Sequence, residues 1–302
     1  MTEKIAVVTG CGGFMGRTLL SHLKEYWPDA RLCGTGRGLL PGGLSESAQF
    51  DLNDEAKLRD WIGGLKPDVI FHAAGRITGQ DWSLLYQDNV ASTLSLLRAV
   101  EQTTPKSRVV IAGSAAECGA IKSLPVREDD PLRPVSPYGV SKACQSLAAL
   151  SFAFRGLDVL VARVFNIVGR GTPMSTSLGA FASQLCDVVA GRRPPILKVG
   201  NLSARRDFVD VDDIADAVCR LAEKGKAGEL YNVCSGRSVG IREVLDRMVA
   251  LCGVDVEIER DPARLRPDDI PEVIGSPQKI AAACDWSPRV PLESSLAAML
   301  TN

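Results

Sequence analysis

An apolar run, Ile5-Ala6-Val7-Val8, opens directly into Thr9-Gly10-Cys11-Gly12-Gly13-Phe14-Met15-Gly16, and a helical pattern follows from Arg17 to Tyr26. Few folds accept that order. A short, unbroken apolar run reads as a strand buried on both faces of a parallel sheet. Gly10, Gly13 and Gly16 then answer three demands. The first permits a tight turn, the second lets backbone approach a pyrophosphate, and the third lets the helix pack closely on the strand. The helix N-terminus offers free N–H groups and a partial positive charge to the phosphates. Gly10, Gly13, Phe14, Met15 and Gly16 are therefore candidate dinucleotide contacts.

The alternation of strand and helix continues. Strand patterns cover residues 30–35, a short stretch ending near Asp51, then 67–72, 108–113 and 157–165. Helical patterns separate most of them, including a long one from Gln80 to Gln102. This implies an α/β fold: a doubly wound parallel sheet with helices on both faces, the Rossmann arrangement. At Asn166 the composition shifts to Gly, Pro, Ser and Thr up to Leu178. The expected division is a dinucleotide-binding domain over 1–165, with 207–235 returning to it. A smaller C-terminal α/β substrate domain is expected over 166–206 and 236–302.

The residues at the strand ends shape the expected cofactor site. In a fold that binds NAD, an acidic residue near the end of the second strand would bond the ribose 2′-OH. Here the ending is Thr35-Gly36-Arg37. Arg37 would meet a 2′-phosphate, which favours NADPH while leaving NADH possible; the plainer reading is a solvated loop arginine. Asp51, with Leu52 after it, would bond the adenine amino group or cap the next helix. Ala73-Ala74-Gly75 are small enough for a cofactor to lie against the backbone, and Asn89 sits on one side of the long helical pattern.

Ser136-Pro137-Tyr138-Gly139-Val140-Ser141-Lys142 carries the chemistry. Ser136 suits a helix cap and Pro137 a first helical position. Tyr138 and Lys142 then share a helix face one turn apart. An ammonium so placed would lower the phenol pKa and make Tyr138 a general acid or base. Ser114 ends the fifth strand, 24 positions before Tyr138. Strand ends face the ligand crevice in such sheets, so Ser114 can meet Tyr138 over a bound carbonyl.

Composition narrows the remainder. Net charge is −1, so neither nucleic acid nor a membrane surface is an expected partner. No apolar run reaches the ~18 residues needed to span a bilayer. The start enters a strand pattern at once, so no signal peptide is expected. Nine cysteines without Cys-x-x-Cys spacing read as free thiols in a reducing cytoplasm. With only His22 and His72, no His-rich metal site is expected, and His72 reads as a satisfied structural residue at a strand end.

Together, Thr9-Gly10-x-x-Gly13-x-x-Gly16, Ser114, Tyr138-x-x-x-Lys142, Phe165-Asn166 and Arg206-Asp207-Phe208-Val209-Asp210-Val211-x-Asp213 resemble the extended short-chain dehydrogenase/reductase superfamily of nucleotide-sugar epimerases, dehydratases and reductases. The resemblance covers nearly the whole chain. The runs at 196–202, 231–236 and 261–267 look most like GDP-6-deoxy-D-mannose reductases. It implies that Ser114 and Tyr138 hold the substrate carbonyl, that Tyr138 donates the proton, and that Lys142 bonds the nicotinamide ribose. Asn166, Arg206 and Arg266 are implied near the substrate diphosphate, with Glu117 and Lys198 as further substrate contacts. Dehydratases of this superfamily carry an acid and a base just after the residue equivalent to Ser114. Here Ala115 and Ala116 stand there, which argues against elimination of water. Cys118 replaces a tyrosine common in relatives. The implied substrate is a GDP-linked 4-keto-6-deoxy sugar, and the implied assembly is a homodimer through a four-helix contact.

Overall fold

The computed structural model describes residues 3–77, 79, 81–121, 123–265 and 269–301. Strand β1 (Ile5–Thr9) turns through the glycine loop into α1 (Phe14–Tyr26). Then come β2 (Arg31–Gly36), β3 (Glu46–Gln49), α2 (Glu55–Leu65) and β4 (Val69–His72). The long helical pattern resolves into α3 (Trp82–Leu85), a π-helical turn (Tyr86–Ala91) and α4 (Ser92–Thr103); Gln80 lies outside the described residues. Strand β5 (Arg108–Ser114) ends in a 3₁₀ turn (Ala115–Glu117). Helix α5 (Pro137–Ala153) starts as the sequence predicts, with Ser136 Oγ accepting from the Gly139 N–H at 3.1 Å.

Beyond β6 (Val159–Val164) the elements are shorter: β7 (Asn166–Val168), α6 (Ser177–Val189), β8 (Ile196–Val199), β9 (Arg205–Asp210), α7 (Val211–Lys224) and β10 (Leu230–Val233). The chain closes with β11 (Ser238–Gly240), α8 (Ile241–Cys252), β12 (Glu257–Arg260), β13 (Glu272–Val273), α9 (Gln278–Cys284) and α10 (Leu292–Leu300).

Seven strands form one sheet in the order β3-β2-β1-β4-β5-β6-β10, with every pairing parallel. Strand order reverses between β1 and β4, the switch point at which such sheets bind ligands. Alternate residues of each strand serve opposite faces. Val8, Phe71, Val110 and Leu160 pack with Leu19 and Leu23 of α1 and Ile214 and Val218 of α7. Their neighbours Val7, Ile70, Ile111 and Val161 pack with Leu58, Ile62, Leu96, Val100 and Phe152 from α2, α4 and α5. A third core joins α6, α8 and α10 through Phe181, Leu185, Val244, Leu245 and Leu296. Strand β9 pairs with β7, β11 and β13, and β8 pairs with β12.

The segment after residue 236 does not all belong to that third core. Ile280, Cys284 and Trp286 pack into the core of α1 and α7, and the Trp286 indole donates to the Asp213 carbonyl at 3.2 Å. All nine cysteines are free thiols. No described helix is long and apolar enough to cross a membrane.

Candidate active site

Because the seven strands run one way, their carboxyl ends share one edge. Thr9-Gly10, Ala73-Ala74-Gly75 and Ser114 lie along it, behind β1, β4 and β5. Gly10 has φ +67°, and a Cβ there would sit 2.6 Å from Ala74 Cα, so two segments expected to hold the cofactor meet backbone to backbone. The Ala73 N–H donates to the Thr9 carbonyl at 3.2 Å. A side chain at Gly16 would strike the Gly10 carbonyl, which is the close helix–strand packing the sequence implies. Gly13 is the N-cap of α1, makes no side-chain cap, and no acid occupies the first turn, where Phe14 and Met15 lie half-buried. That terminus keeps N–H groups and positive potential for an anion, so the residues present fit a dinucleotide diphosphate.

At the end of β2, Arg37 is held by carboxylates. Its Nη1 and Nη2 donate to both oxygens of Asp88 at 2.9 and 3.1 Å, and its Nη1 lies 3.6 Å from Asp51 Oδ2. Arg76 Nε donates to the same Asp88 at 2.9 Å. Sequence reasoning passed over Arg76 and Asp88, since nothing local links positions 37, 76 and 88. Asp51 does not cap α2; Asp54 does, accepting from the Lys57 N–H at 3.3 Å. Burial pushes the Asp51 carboxyl up, but hydrogen bonds from Asn53 and the Arg37 charge leave it below its ordinary value. Leu52 turns its side chain into the core.

Asn89 corrects an expectation. It is fully buried in the π-helical turn rather than facing the crevice. Its Oδ1 accepts from the Arg76 N–H at 2.7 Å, and its Nδ2 donates to Ser141 Oγ at 2.9 Å and to the Arg76 carbonyl at 3.1 Å. With its amide spent on these bonds, Asn89 ties the end of β4 to α5.

Ser114 Oγ accepts from the Ala116 N–H at 3.3 Å and faces the Tyr138 phenol closely enough to influence its titration. Burial pushes that phenol above its ordinary pKa; the Ser114 hydrogen bond pulls it down, and the Glu117 carboxylate adds to the rise. The expected lowering by Lys142 is therefore not what this state of the site displays. The Lys142 ammonium is turned to the Ala112 carbonyl at 2.6 Å and to Gln145 Oε1. Burial drives its pKa down to about 8, with the Glu117 charge opposing.

Glu117 is the second correction. Expected to touch substrate, it is wholly inaccessible and pairs with Arg163 Nε at 2.8 Å. Arg163 in turn donates to Asn232 Oδ1 at 3.3 Å. The 3₁₀ turn after β5 aims Glu117 inward, onto a guanidinium that β6 buries. Cys118 is buried beside Val126, Phe165 and Cys234, and burial pushes its thiol up to about 12. His72 is a satisfied core residue, as the sequence suggests: it bonds Thr9 Oγ1 at 2.7 Å and Thr93 Oγ1 at 2.8 Å, and burial holds it neutral down to about pH 3.

Among the expected substrate contacts, Asn166 and Arg206 lie on adjacent paired strands. Asn166 Nδ2 donates to the Asp207 carbonyl at 3.1 Å. Arg206 donates to the Ile270 carbonyl at 2.7 Å and pairs with Asp269. Lys198 is on β8, in the separate sheet with β12, with its side chain exposed. Arg266 lies outside the described residues.

Comparison with known proteins supports the fold and places the chain in a family. Residues 6–234 match the model of the NAD dependent epimerase/dehydratase family. The chain is 33% identical over 309 residues to GDP-6-deoxy-D-mannose reductase of Pseudomonas aeruginosa, covering 100% of this chain and 97% of that one. It is 31% identical to dTDP-6-deoxy-L-talose 4-dehydrogenase (NAD(P)(+)) of Kitasatospora kifunensis, covering 99% and 95%. The solved structure of RMD from Pseudomonas aeruginosa complexed with NADPH superimposes with a TM-score of 0.86 at 30% identity, covering 99% of this chain and 96% of the other. The chain thus belongs to the NAD dependent epimerase/dehydratase family.

Proposed function

We propose that this enzyme reduces the C4 keto group of a nucleotide-linked 4-keto-6-deoxy hexose, with GDP-4-keto-6-deoxy-D-mannose as substrate and GDP-6-deoxy-D-mannose as product. One observation carries the reading. Ser114, at the end of β5, and Tyr138, in the first turn of α5, meet at the ligand edge of the sheet, where Ser114 lowers the phenol pKa, with Ala115 and Ala116 where elimination of water would need an acid and a base. The full-length similarity to a GDP-6-deoxy-D-mannose reductase supports the choice of sugar.

The nicotinamide, when bound, supplies a hydride to C4. Tyr138 gives its proton to the carbonyl oxygen, so ketone becomes secondary alcohol and the phenolate is left beside Ser114 and Lys142. Ser114 orients the carbonyl. Lys142 holds the cofactor ribose and offsets the charge left on Tyr138. Gly10, Gly13 and Gly16 receive the diphosphate. Arg37, more than half exposed, supports NADPH as the preferred partner, and the NADPH complex of the similar reductase fits that preference. Asn166, Arg206 and Arg266 serve the sugar diphosphate, where guanidinium groups match phosphate oxygens.

Nine free thiols support a cytoplasmic setting. Exposed Trp82 and Tyr86 at α3, with Leu147 and Phe154 on and after α5, support a homodimer across these helices. Light scattering should return the mass of two chains; a monomer overturns the dimer.

The deciding assay follows NADPH oxidation with GDP-4-keto-6-deoxy-D-mannose beside its dTDP, UDP and CDP counterparts, and with NADH in parallel. Turnover confined to the GDP sugar establishes the reading. Silence with every keto sugar, together with NAD retained through purification, would replace it with a C4 epimerase.

A further inference from the structure

Lys142 is 6% exposed, and a buried ammonium needs acceptors for its protons. The described contacts give it two, the Ala112 carbonyl and Gln145 Oε1. The first is backbone and comes with the fold. The second is a side chain one turn further along α5, fully buried and so unable to reach for solvent.

The direction of the Gln145 amide is fixed from outside. Its Nε2 donates to Thr93 Oγ1 at 2.8 Å. The Thr93 hydroxyl proton is committed to the Asn89 carbonyl at 2.7 Å, so its oxygen can only accept. It accepts from Gln145 and from His72 Nε2 at 2.8 Å. His72 therefore carries its proton on Nε2, and its Nδ1 accepts from Thr9 Oγ1 at 2.7 Å. The Thr9 and Thr93 hydroxyls, the His72 ring and the Gln145 amide each thus donate to a named acceptor. Flipping the amide would set an NH₂ against the Lys142 ammonium and leave Thr93 with an oxygen facing an oxygen.

The chain also has two ends that matter. Thr9 ends β1 directly before Gly10, where the loop assigned to the diphosphate begins, and Lys142 is the group assigned to the nicotinamide ribose. We propose that Gln145 is a positioning residue: its carbonyl fixes the Lys142 ammonium for the cofactor ribose and the tyrosine, and Thr9, His72 and Thr93 fix Gln145 from the cofactor loop. This rests on the reductase reading for the role of Lys142.

The test compares Gln145→Leu, Gln145→Glu and Thr93→Val with wild type and Tyr138→Phe. Steady-state rates with NADPH and the keto sugar are measured beside NADPH dissociation constants by fluorescence and thermal midpoints. Losing a hydrogen bond to a charged group corresponds to a fall of roughly tenfold or more, so Gln145→Leu should drop kcat by at least about tenfold. NADPH binding should weaken several-fold, while KM for the sugar stays within about twofold of wild type. Gln145→Glu restores an acceptor for the ammonium and should recover most of the lost kcat. Thr93→Val should lose kcat in the same direction, and it carries the test should Gln145→Leu not fold.

Wild-type kcat and NADPH affinity in Gln145→Leu, with Tyr138→Phe inactive, would overturn the proposal. So would a lowered thermal midpoint with unchanged kinetics, or a Gln145→Glu no better than Gln145→Leu. If wild type reduces no keto sugar, the reductase reading fails by itself, and the NADPH dissociation constants still decide the role of Gln145.

Discussion

Lys142 sits where a charge is least comfortable. Its ammonium has a pKa of about 8 in the folded chain, against ~10.4 in the unfolded one. Activity that needs the charged form falls as pH rises through about 8, and kcat/KM for NADPH, which reports the free enzyme, should show that alkaline limb. Stability moves the other way. Between the two pKa values the unfolded chain binds more protons, so folding should become more favourable as pH rises there. Glu117 makes a contrasting case. Glu117→Ala leaves the Arg163 guanidinium buried beside Asn232 without its carboxylate, and should cost about 3–5 kcal/mol in denaturant unfolding. A loss below about 1 kcal/mol would place that pair among surface ion pairs instead. Tyr138, Lys142 and Ser114 were legible because they rest on local geometry, a capped helix and a strand end. Glu117 was not. The family resemblance put it at the substrate, whereas its direction depends on Arg163, 46 residues away.

At the level of elements, the β1–α1 turn is the best-read part of the molecule, and the physical reason is density of constraint. Gly10 must take positive φ and must admit the Ala73-Ala74 backbone. Gly10→Ala meets both barriers, so it should lower NADPH affinity at least about tenfold by isothermal titration, the scale of 1–3 kcal/mol of stored strain. Unchanged affinity would mean that the diphosphate lies elsewhere. The helix pattern after β4 was read less well. Its apolar spacing is helical throughout, but the π turn at Tyr86–Ala91 has no mark in composition. That turn is what buries Asn89 and carries it from the cofactor crevice to the join between β4 and α5. Asp207 was likewise legible as part of a family run, but its work was not: it accepts from Ser235, Gly236 and Gly275 and so pins two loops from residues near and far.

Across the whole molecule, the first six strands of the seven-stranded sheet follow from alternation of short apolar strands with helices, and β10, inside the 207–235 stretch, adds the seventh beside β6. What the pattern conceals is how the C-terminal segment divides. Trp286 and Ile280 enter the core of α1 and α7 from more than 250 positions beyond α1, and amphipathic spacing carries no address for a partner. Trp286→Ala should therefore destabilise the dinucleotide-binding core by about 3–5 kcal/mol. The loss should appear in hydrogen exchange at α1 and α7 as well as at α9; protection lost at α9 alone would contradict it.

The pairing of β10 with β6 also sets an order of events during synthesis. Every residue of β6 is buried in the finished sheet, and its outer edge is covered only by a strand that emerges roughly 70 residues later. At about 5–20 residues per second, the nascent chain holds a complete glycine loop and Tyr138 helix for several seconds with that edge bare. A bare, apolar edge is a template for pairing with another chain. Until Val233 is out, the β6 side of the sheet therefore stays open, the last edge of the sheet that the chain closes.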